Sequence, residues 1–241
     1  MIPYWMSRTQ LMLGDEKVEK LMSKNVLVIG LGGVGGICAE MIVRAGIGKM
    51  TIVDNDTIDA SNINRQIPAL HSTIKKSKAQ VLAARLLDIN PLLGLTIVEA
   101  FVEDESMIAL IKKEPWDYIV DCIDTLSAKV DLIKGCMDRK LNIVSSMGAG
   151  GKLDPSQIKV ADLSKTYECN LARYVRKRLQ ALGIKKGLKV VFSSEKPDQS
   201  RIIETENAYP KKSIIGTLSY MPAIFGCTVA SVVIQDLMVK D

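Results

Sequence analysis

The chain repeats one pattern: a short run of branched apolar residues, a polar or glycine-rich break, then a stretch whose apolar positions recur every three or four residues. The runs Val26–Ile29, Lys49–Val53, Leu95–Glu99, Tyr118–Val120 and Asn142–Ser146 read as strands. Near-continuous apolarity marks strands covered on both faces, as in a parallel sheet. Between them Val34–Ala45, Lys78–Asn90, Glu105–Lys113 and Ala128–Arg139 carry the helical period, and Pro91 stops the second of these. Strands alternating with amphipathic helices predict an α/β fold: a doubly wound, Rossmann-like, mostly parallel sheet. Residues 1–24 read as an N-terminal helical arm with Leu11, Met12, Val18, Leu21 and Met22 as its apolar positions.

The pattern changes near residue 147. A glycine loop, Ser146–Pro155, enters a strand over Ile158–Ala161. A helix follows over Asn170–Leu182, with Leu171, Tyr174, Val175 and Leu179 on one face, then a strand over Leu188–Ser193. Glu195–Lys212 is polar, holds Pro197 and Pro210, and reads as a mobile loop. The last apolar stretch, Ile214–Val239, is interrupted by Pro222, Gly226, Gln235 and Asp236. That predicts a helix buried in the core or at a subunit contact, with no stable membrane insertion.

Chemistry enters first at Val26–Gly35, where the first apolar run ends at Gly30 and further glycines follow at 32, 33 and 35. A strand turning sharply on glycines into a helix leaves backbone N–H groups free to approach a phosphate. Asp54 ends the second strand nineteen residues past Gly35, the place where a nucleotide-binding β-α-β unit puts a carboxylate on the ribose hydroxyls. A polar segment, Asp56–Gln66, then carries Arg65, and Lys78 opens the next helix behind Ser77. A cation at a helix N-terminus is unfavourable unless an anion binds there, although Lys75, Lys76 and Lys78 also fit a solvated face. Asp124 lies beyond the strand ending at Val120. It suits either a cap for the following helix or a ligand for Mg²⁺, which one or two carboxylates and phosphate oxygens commonly hold.

Several reaction classes fall away. No G-x-x-x-x-G-K-[ST] occurs, and the single histidine, His71, excludes a histidine pair. The five cysteines (Cys38, Cys122, Cys136, Cys169 and Cys227) never form C-x-x-C, which argues against a disulfide framework and a cysteine-only zinc clip and fits a reducing cytoplasm. A nicotinamide or flavin enzyme would explain the glycines and Asp54 but leave Arg65, Lys78 and Asp124 without a task. A triphosphate has more charge to neutralise. ATP with Mg²⁺, attacked at the α-phosphate by a carboxylate, accounts for all of them and needs no nucleophile from the protein.

Charge adds a partner. The chain carries a net +5, yet residues 164–190 alone hold eight Lys or Arg against Glu168, a local +7. Such concentration is the footprint of a polyanion contact or of a solvated basic helix.

Taken in order and at these spacings, Gly30–Gly35, Asp54–Asp56, Asn62–Gln66, Lys78 and Asp124 resemble the adenylating domain of the ubiquitin-activating-enzyme superfamily, which includes the ThiF and MoeB sulfur-carrier activators. The resemblance implies an ATP site formed by Gly30, Gly32, Gly33, Gly35, Asp54, Asp56, Asn62, Asn64, Arg65, Gln66, Lys78 and Asp124. Within it Asp54 would hold the ribose, Arg65 and Lys78 the phosphates, and Asp124 the magnesium. Arg8, in Ser7–Gln10, matches an arginine that in this family reaches into the partner subunit's site, so the resemblance implies a homodimer and a catalytic set of Arg8, Arg65, Lys78 and Asp124. The usual second arginine of that arm is replaced by Trp5.

More narrowly, Gly148–Pro155, Asp162–Thr166, Val191–Glu195 and Gly216–Pro222 are similar to the tRNA threonylcarbamoyladenosine dehydratase branch. That implies ATP-dependent activation of the threonyl carboxylate on a modified adenosine beside the anticodon, followed by ring closure with loss of water. Arg173, Arg176, Lys177, Arg178, Lys185, Lys186 and Lys189 would then meet the tRNA. The chain would be one adenylating domain over 1–241: the arm 1–24, a nucleotide-binding core 25–146, and a tRNA-facing and dimer-contact part 147–241. A cysteine-desulfurase and sulfur-acceptor system is associated with the family, and neither it nor a monovalent cation can be read from the chain. The rival reading, activation of a sulfur-carrier or ubiquitin-like protein, would rest on Cys169.

Overall fold

The computed structural model describes residues 1–196, 198, 200, 202–204 and 213–239. Five parallel strands come first in space and nearly first in sequence: β1 (Asn25–Ile29), β2 (Lys49–Val53), β3 (Gly94–Val98), β4 (Tyr118–Asp121) and β5 (Ile143–Ser146). Two more, β6 (Ile158–Asp162) and β7 (Lys189–Ser193), complete a seven-stranded sheet in the order β3-β2-β1-β4-β5-β7-β6, with only β6 antiparallel. The mostly parallel, Rossmann-like sheet expected from the strand–helix alternation is present. β1 is buried at all five positions, because a central parallel strand has helices on both faces.

Helices α2 (Asp15–Met22), α3 (Gly35–Arg44), α4 (Lys78–Ile89) and α8 (Tyr220–Val239) cover one face, with α3 and α8 as its most extensive helix contact. Helices α5 (Asp104–Lys112), α6 (Leu126–Asp138) and α7 (Asn170–Ala181) pack in sequence on the other. Among the described residues α8 alone is long and apolar enough to cross a membrane. It lies against α3, β4, β5 and β7, with Met221, Phe225, Val229 and Val233 fully buried.

Three expectations need correction. The N-terminal arm is two helices, α1 (Ser7–Leu13) and α2, broken at Gly14 with φ +79°. Leu11 and Met12, expected to pack, stand 85% and 82% exposed, whereas Val18 and Leu21 are buried. The stretch read as a loop over Glu195–Lys212 includes a strand, β8 (Ile202–Glu204), paired antiparallel with β9 (Ser213–Ile215); most of its remaining residues lie outside the described set. On α7 the buried face is Ala172, Val175 and Leu179, and Tyr174 is half exposed.

Strand order reverses between β1 and β4, since the chain proceeds outward through β2 and β3 and then returns to β1's other side. Ligands of open α/β sheets occupy the crevice at the carboxyl ends of the strands at that point. Gly30 follows β1 there and Cys122–Asp124 follows β4.

Candidate active site

The glycine turn is closed so tightly that side chains are excluded at Gly30, Gly33 and Gly35. Gly30 has φ +87°, and a Cβ on it would come within 2.7 Å of the Cys122 carbonyl oxygen. A Cβ on Gly35 would come within 1.7 Å of the Gly30 oxygen. Gly33 abuts Pro222 and the Arg65 carbonyl, while a Cβ at Gly32 would make only an ordinary contact, with Gln66 Nε2 at 3.8 Å. α3 starts at Gly35 with no side-chain cap, and the Gly36 N–H donates to the Gly32 carbonyl at 3.0 Å, so no side chain occupies the positive end of the helix at the turn.

Asp54 is wired to this turn. Its Oδ2 accepts the Leu31 N–H at 2.6 Å and its Oδ1 the Asp56 N–H at 2.8 Å. Burial pushes its carboxyl above the usual range, against those hydrogen bonds and the nearby charge of Lys78. Gln66, 8% exposed, has its Oε1 buried without a hydrogen-bond partner. Such an atom costs about 1–3 kcal/mol, and a ligand hydroxyl or amino group would satisfy it. A cradle closed to a Cβ at Gly30, Gly33 and Gly35, a carboxylate at the turn and an orphaned amide oxygen fit a ribonucleotide.

The expected cations are present and engaged. Lys78, 5% exposed, donates to Asp56 Oδ2 at 2.8 Å, and Asp56 is itself 54% exposed. Ser77 caps α4 by accepting the Gln80 N–H, and the Lys78 N–H donates to the Asp56 oxygen. The buried lysine thus has a carboxylate that water, or a phosphate, can replace. Arg65 donates to the Ser61 carbonyl and to Asn64 Oδ1, and Asn64 Nδ2 donates to the Thr217 carbonyl. Asn62 is buried and returns a side-chain bond to the Asp59 N–H. Asn62, Asn64, Arg65 and Gln66 therefore form one hydrogen-bonded rim beside the glycine turn, the Arg65 and Gln66 N–H groups donating to the Asn62 carbonyl, while Asp56 is bonded to Asp54 and Lys78.

Asp124 is exposed just beyond β4, and behind it lies a feature not foreseen. Lys129 and Asp121 are both 0% exposed and paired at 2.7 Å. Lys129 also donates to Ser145 Oγ and the Ser146 carbonyl, and Asp121 Oδ1 accepts the Ile123 N–H. With its partners complete the ion pair is tolerable in the core. It ties β4, β5 and α6 together beneath the segment that presents Asp124. A signal existed: Lys129 occupies the helical face of Ile133 and Cys136, where the period calls for an apolar residue. Among the described residues no group of three or more His, Cys, Asp or Glu could hold a metal, so Mg²⁺ here would depend on phosphate oxygens as well as Asp124.

The predicted cationic surface divides. Arg173, Lys177, Arg178, Lys185 and Lys186 are exposed. Lys189 instead pairs with Asp236 of α8 at 2.7 Å, and Arg176 turns back onto the Leu163 and Thr166 carbonyls. Neither stands as a solvated cation, and β7's place beside β5 is what brings Lys189 to α8. Arg8 stands exposed on α1, which packs against α2. Cys169, the residue a thioester route would need, is 8% exposed inside the core that also holds Val175 and Leu188.

Residues 6–240 match the ThiF family. The tRNA threonylcarbamoyladenosine dehydratase of Bacillus subtilis is 36% identical over 242 residues, covering 98% of this chain and 94% of that protein. The crystal structure of the Escherichia coli tRNA N6-threonylcarbamoyladenosine dehydratase in complex with ATP superposes with a TM-score of 0.87 at 33% identity, covering 97% of this chain and 93% of that one. The Escherichia coli molybdopterin-synthase adenylyltransferase is 34% identical over 127 residues, only 53% of this chain and 50% of that protein. Likeness to the dehydratases covers nearly the whole chain, and likeness to the adenylyltransferase about half of it. The chain belongs to the ThiF family, in its branch of tRNA threonylcarbamoyladenosine dehydratases.

Proposed function

We propose that the chain uses ATP and Mg²⁺ to activate the carboxylate of threonylcarbamoyladenosine beside the anticodon of tRNA, which then closes into a ring with net loss of water. The observation that carries this reading is the crevice between β1 and β4. There an excluded-Cβ turn, the ribose-ready Asp54 and the cations Lys78 and Arg65 converge without a protein nucleophile.

The α3 N-terminus and Lys78 hold the phosphates, Lys78 exchanging Asp56 for a phosphate oxygen. Asp54 holds the ribose hydroxyls, and Arg65 reaches the phosphates from the rim. Asp124 would hold Mg²⁺, which supplies charge neutralisation for the departing phosphates. The substrate carboxylate oxygen attacks the α-phosphorus, and the bond to the bridging oxygen breaks, releasing pyrophosphate. An internal nucleophile of the threonylcarbamoyl group then attacks the acyl carbon, loses its proton and expels AMP. The oxygen counted as water therefore leaves on AMP. The protein's part is positioning and charge stabilisation.

The exposed Tyr4, Leu11 and Met12 around Arg8 support a second copy packing on this arm and delivering Arg8 to the neighbouring site. The likeness to tRNA-modifying enzymes supports a cytoplasmic location. Incubation with ATP, Mg²⁺ and tRNA carrying threonylcarbamoyladenosine, followed by nucleoside mass spectrometry, should show loss of one water from that nucleoside only when ATP is present. An unchanged nucleoside with folded, ATP-binding protein rules the reading out.

A further inference from the structure

The surface around α7 carries more than charge. Tyr174, in the second turn of α7, is 50% exposed. The Arg173 guanidinium carbon lies 5.0 Å from its ring centroid, and Arg173 Nη2 donates to the Tyr174 hydroxyl at 3.3 Å. Tyr167, three residues before α7, is also 50% exposed. Lys159 Nζ lies 5.3 Å from that ring's centroid and donates to its hydroxyl at 2.7 Å. The Tyr167 ring meets buried Phe192 edge-on, with centroids 5.7 Å apart, so it is seated on the core.

Arg176 ties the segment before Tyr167 to α7. Its Nη1 donates to the Leu163 carbonyl at 3.2 Å, the Thr166 carbonyl at 2.8 Å and Thr166 Oγ1 at 2.5 Å. The turn that leads into Tyr167 is thereby clamped to the helix that carries Tyr174. Lys165, Lys177 and Arg178 stand exposed around them. Contact with phosphates alone would need only solvated cations. Rigid aromatic rings flanked by cations are what a splayed nucleobase stacks on, because every base has a π-face and the cation extends the stack.

We propose that Tyr174 and Tyr167 are stacking platforms for unpaired bases of an RNA loop, with Lys165, Lys177 and Arg178 holding its phosphates. This rests on tRNA being the substrate, and it names how a loop is told from a duplex. Charge complementarity and the two cation-flanked, half-exposed rings favour that occupant over an acidic protein.

The test compares binding of the full chain to an anticodon-type RNA hairpin and to a blunt RNA duplex of equal phosphate number, across a salt series. Wild type should prefer the hairpin. Tyr174→Ala should weaken hairpin binding about tenfold, leave duplex binding unchanged and keep the slope of log affinity against log salt. Tyr174→Trp should restore hairpin binding, which a merely structural defect would not allow. Tyr167→Ala should act in the same direction, with a thermal melt reporting whether its seat on Phe192 survives. Hairpin affinity of Tyr174→Ala within twofold of wild type, or equal wild-type affinity for hairpin and duplex, overturns the proposal while the tRNA reading stands. Binding of neither RNA by wild type overturns both.

Discussion

Beside the glycine turn the cation Lys78 is buried and already partnered, whereas on α7 Arg173, Lys177 and Arg178 stand exposed. Lys78 is 5% exposed and held by Asp56, while Lys177 is exposed on a helix whose other residues carry the packing. The physical consequences differ. A buried charge is fixed in place before the ligand arrives, so most of its attraction is available to the ligand. An exposed one acts through long-range attraction and released counterions, which salt erodes. The proposed function accordingly assigns chemistry to the prearranged Lys78 and substrate capture to the exposed cations of α7.

The strongest way to break that contrast is to empty the buried end. Lys129→Met leaves Asp121 charged and unpaired in the core, and should cost about 3–5 kcal/mol of stability in urea unfolding. Adding Asp121→Asn in the same chain should recover part of it. A loss below about 1 kcal/mol would mean that the pair is not the buried strut described. Next comes Lys78→Ala. Asp56 is half exposed and can rehydrate, so stability should change by less than about 1 kcal/mol, while ATP affinity by calorimetry should fall about 10- to 100-fold. Equal ATP affinity in the variant would remove Lys78 from the phosphate site.

A smaller effect, readable through pH, sits beneath the turn. Glu40 of α3 accepts from Arg44 at 2.9 Å and from Arg85 of α4 at 2.5 Å. Burial acts to raise its carboxyl, and the hydrogen bonds from Arg85 and Arg44 overcome it, leaving it below the ordinary value. Its contribution is therefore present at neutral pH and lost as pH falls through the folded pKa. Glu40→Gln should be about 1–2 kcal/mol less stable at neutral pH, with the gap closing below about pH 4. Smallest of all is the difference between two lysines of the basic segment. Lys177→Ala should lower the salt slope of RNA binding by about one, whereas Lys189→Ala, already paired with Asp236, should leave it unchanged. Equal slopes for the two would erase the division between free and neutralised cations.

Much of this was legible in the chain, for reasons that are local. The turn at Gly30–Gly35, the acid ending β2 and the alternation of strand and helix are each written in a few adjacent residues. What escaped depends on partners far along the chain. Lys189 meets Asp236 forty-seven residues away, and Asp121 meets Ser145 only because β4 lies beside β5. Arg176 reads as one more surface cation until the turn at Leu163 folds back on it. Leu11 and Met12 carry a core-like pattern, yet Gly14 redirects the chain and leaves them outside.

The central claim is that the phosphates gathered at the glycine turn receive an oxygen from the substrate's carboxylate. The most direct measurement uses tRNA whose threonylcarbamoyladenosine carboxylate carries heavy oxygen, turned over with ATP and Mg²⁺ in ordinary water. The account predicts one heavy oxygen in the released AMP and the other retained in the ring carbonyl. Heavy oxygen in bulk water, with every phosphate product unlabelled, would contradict it.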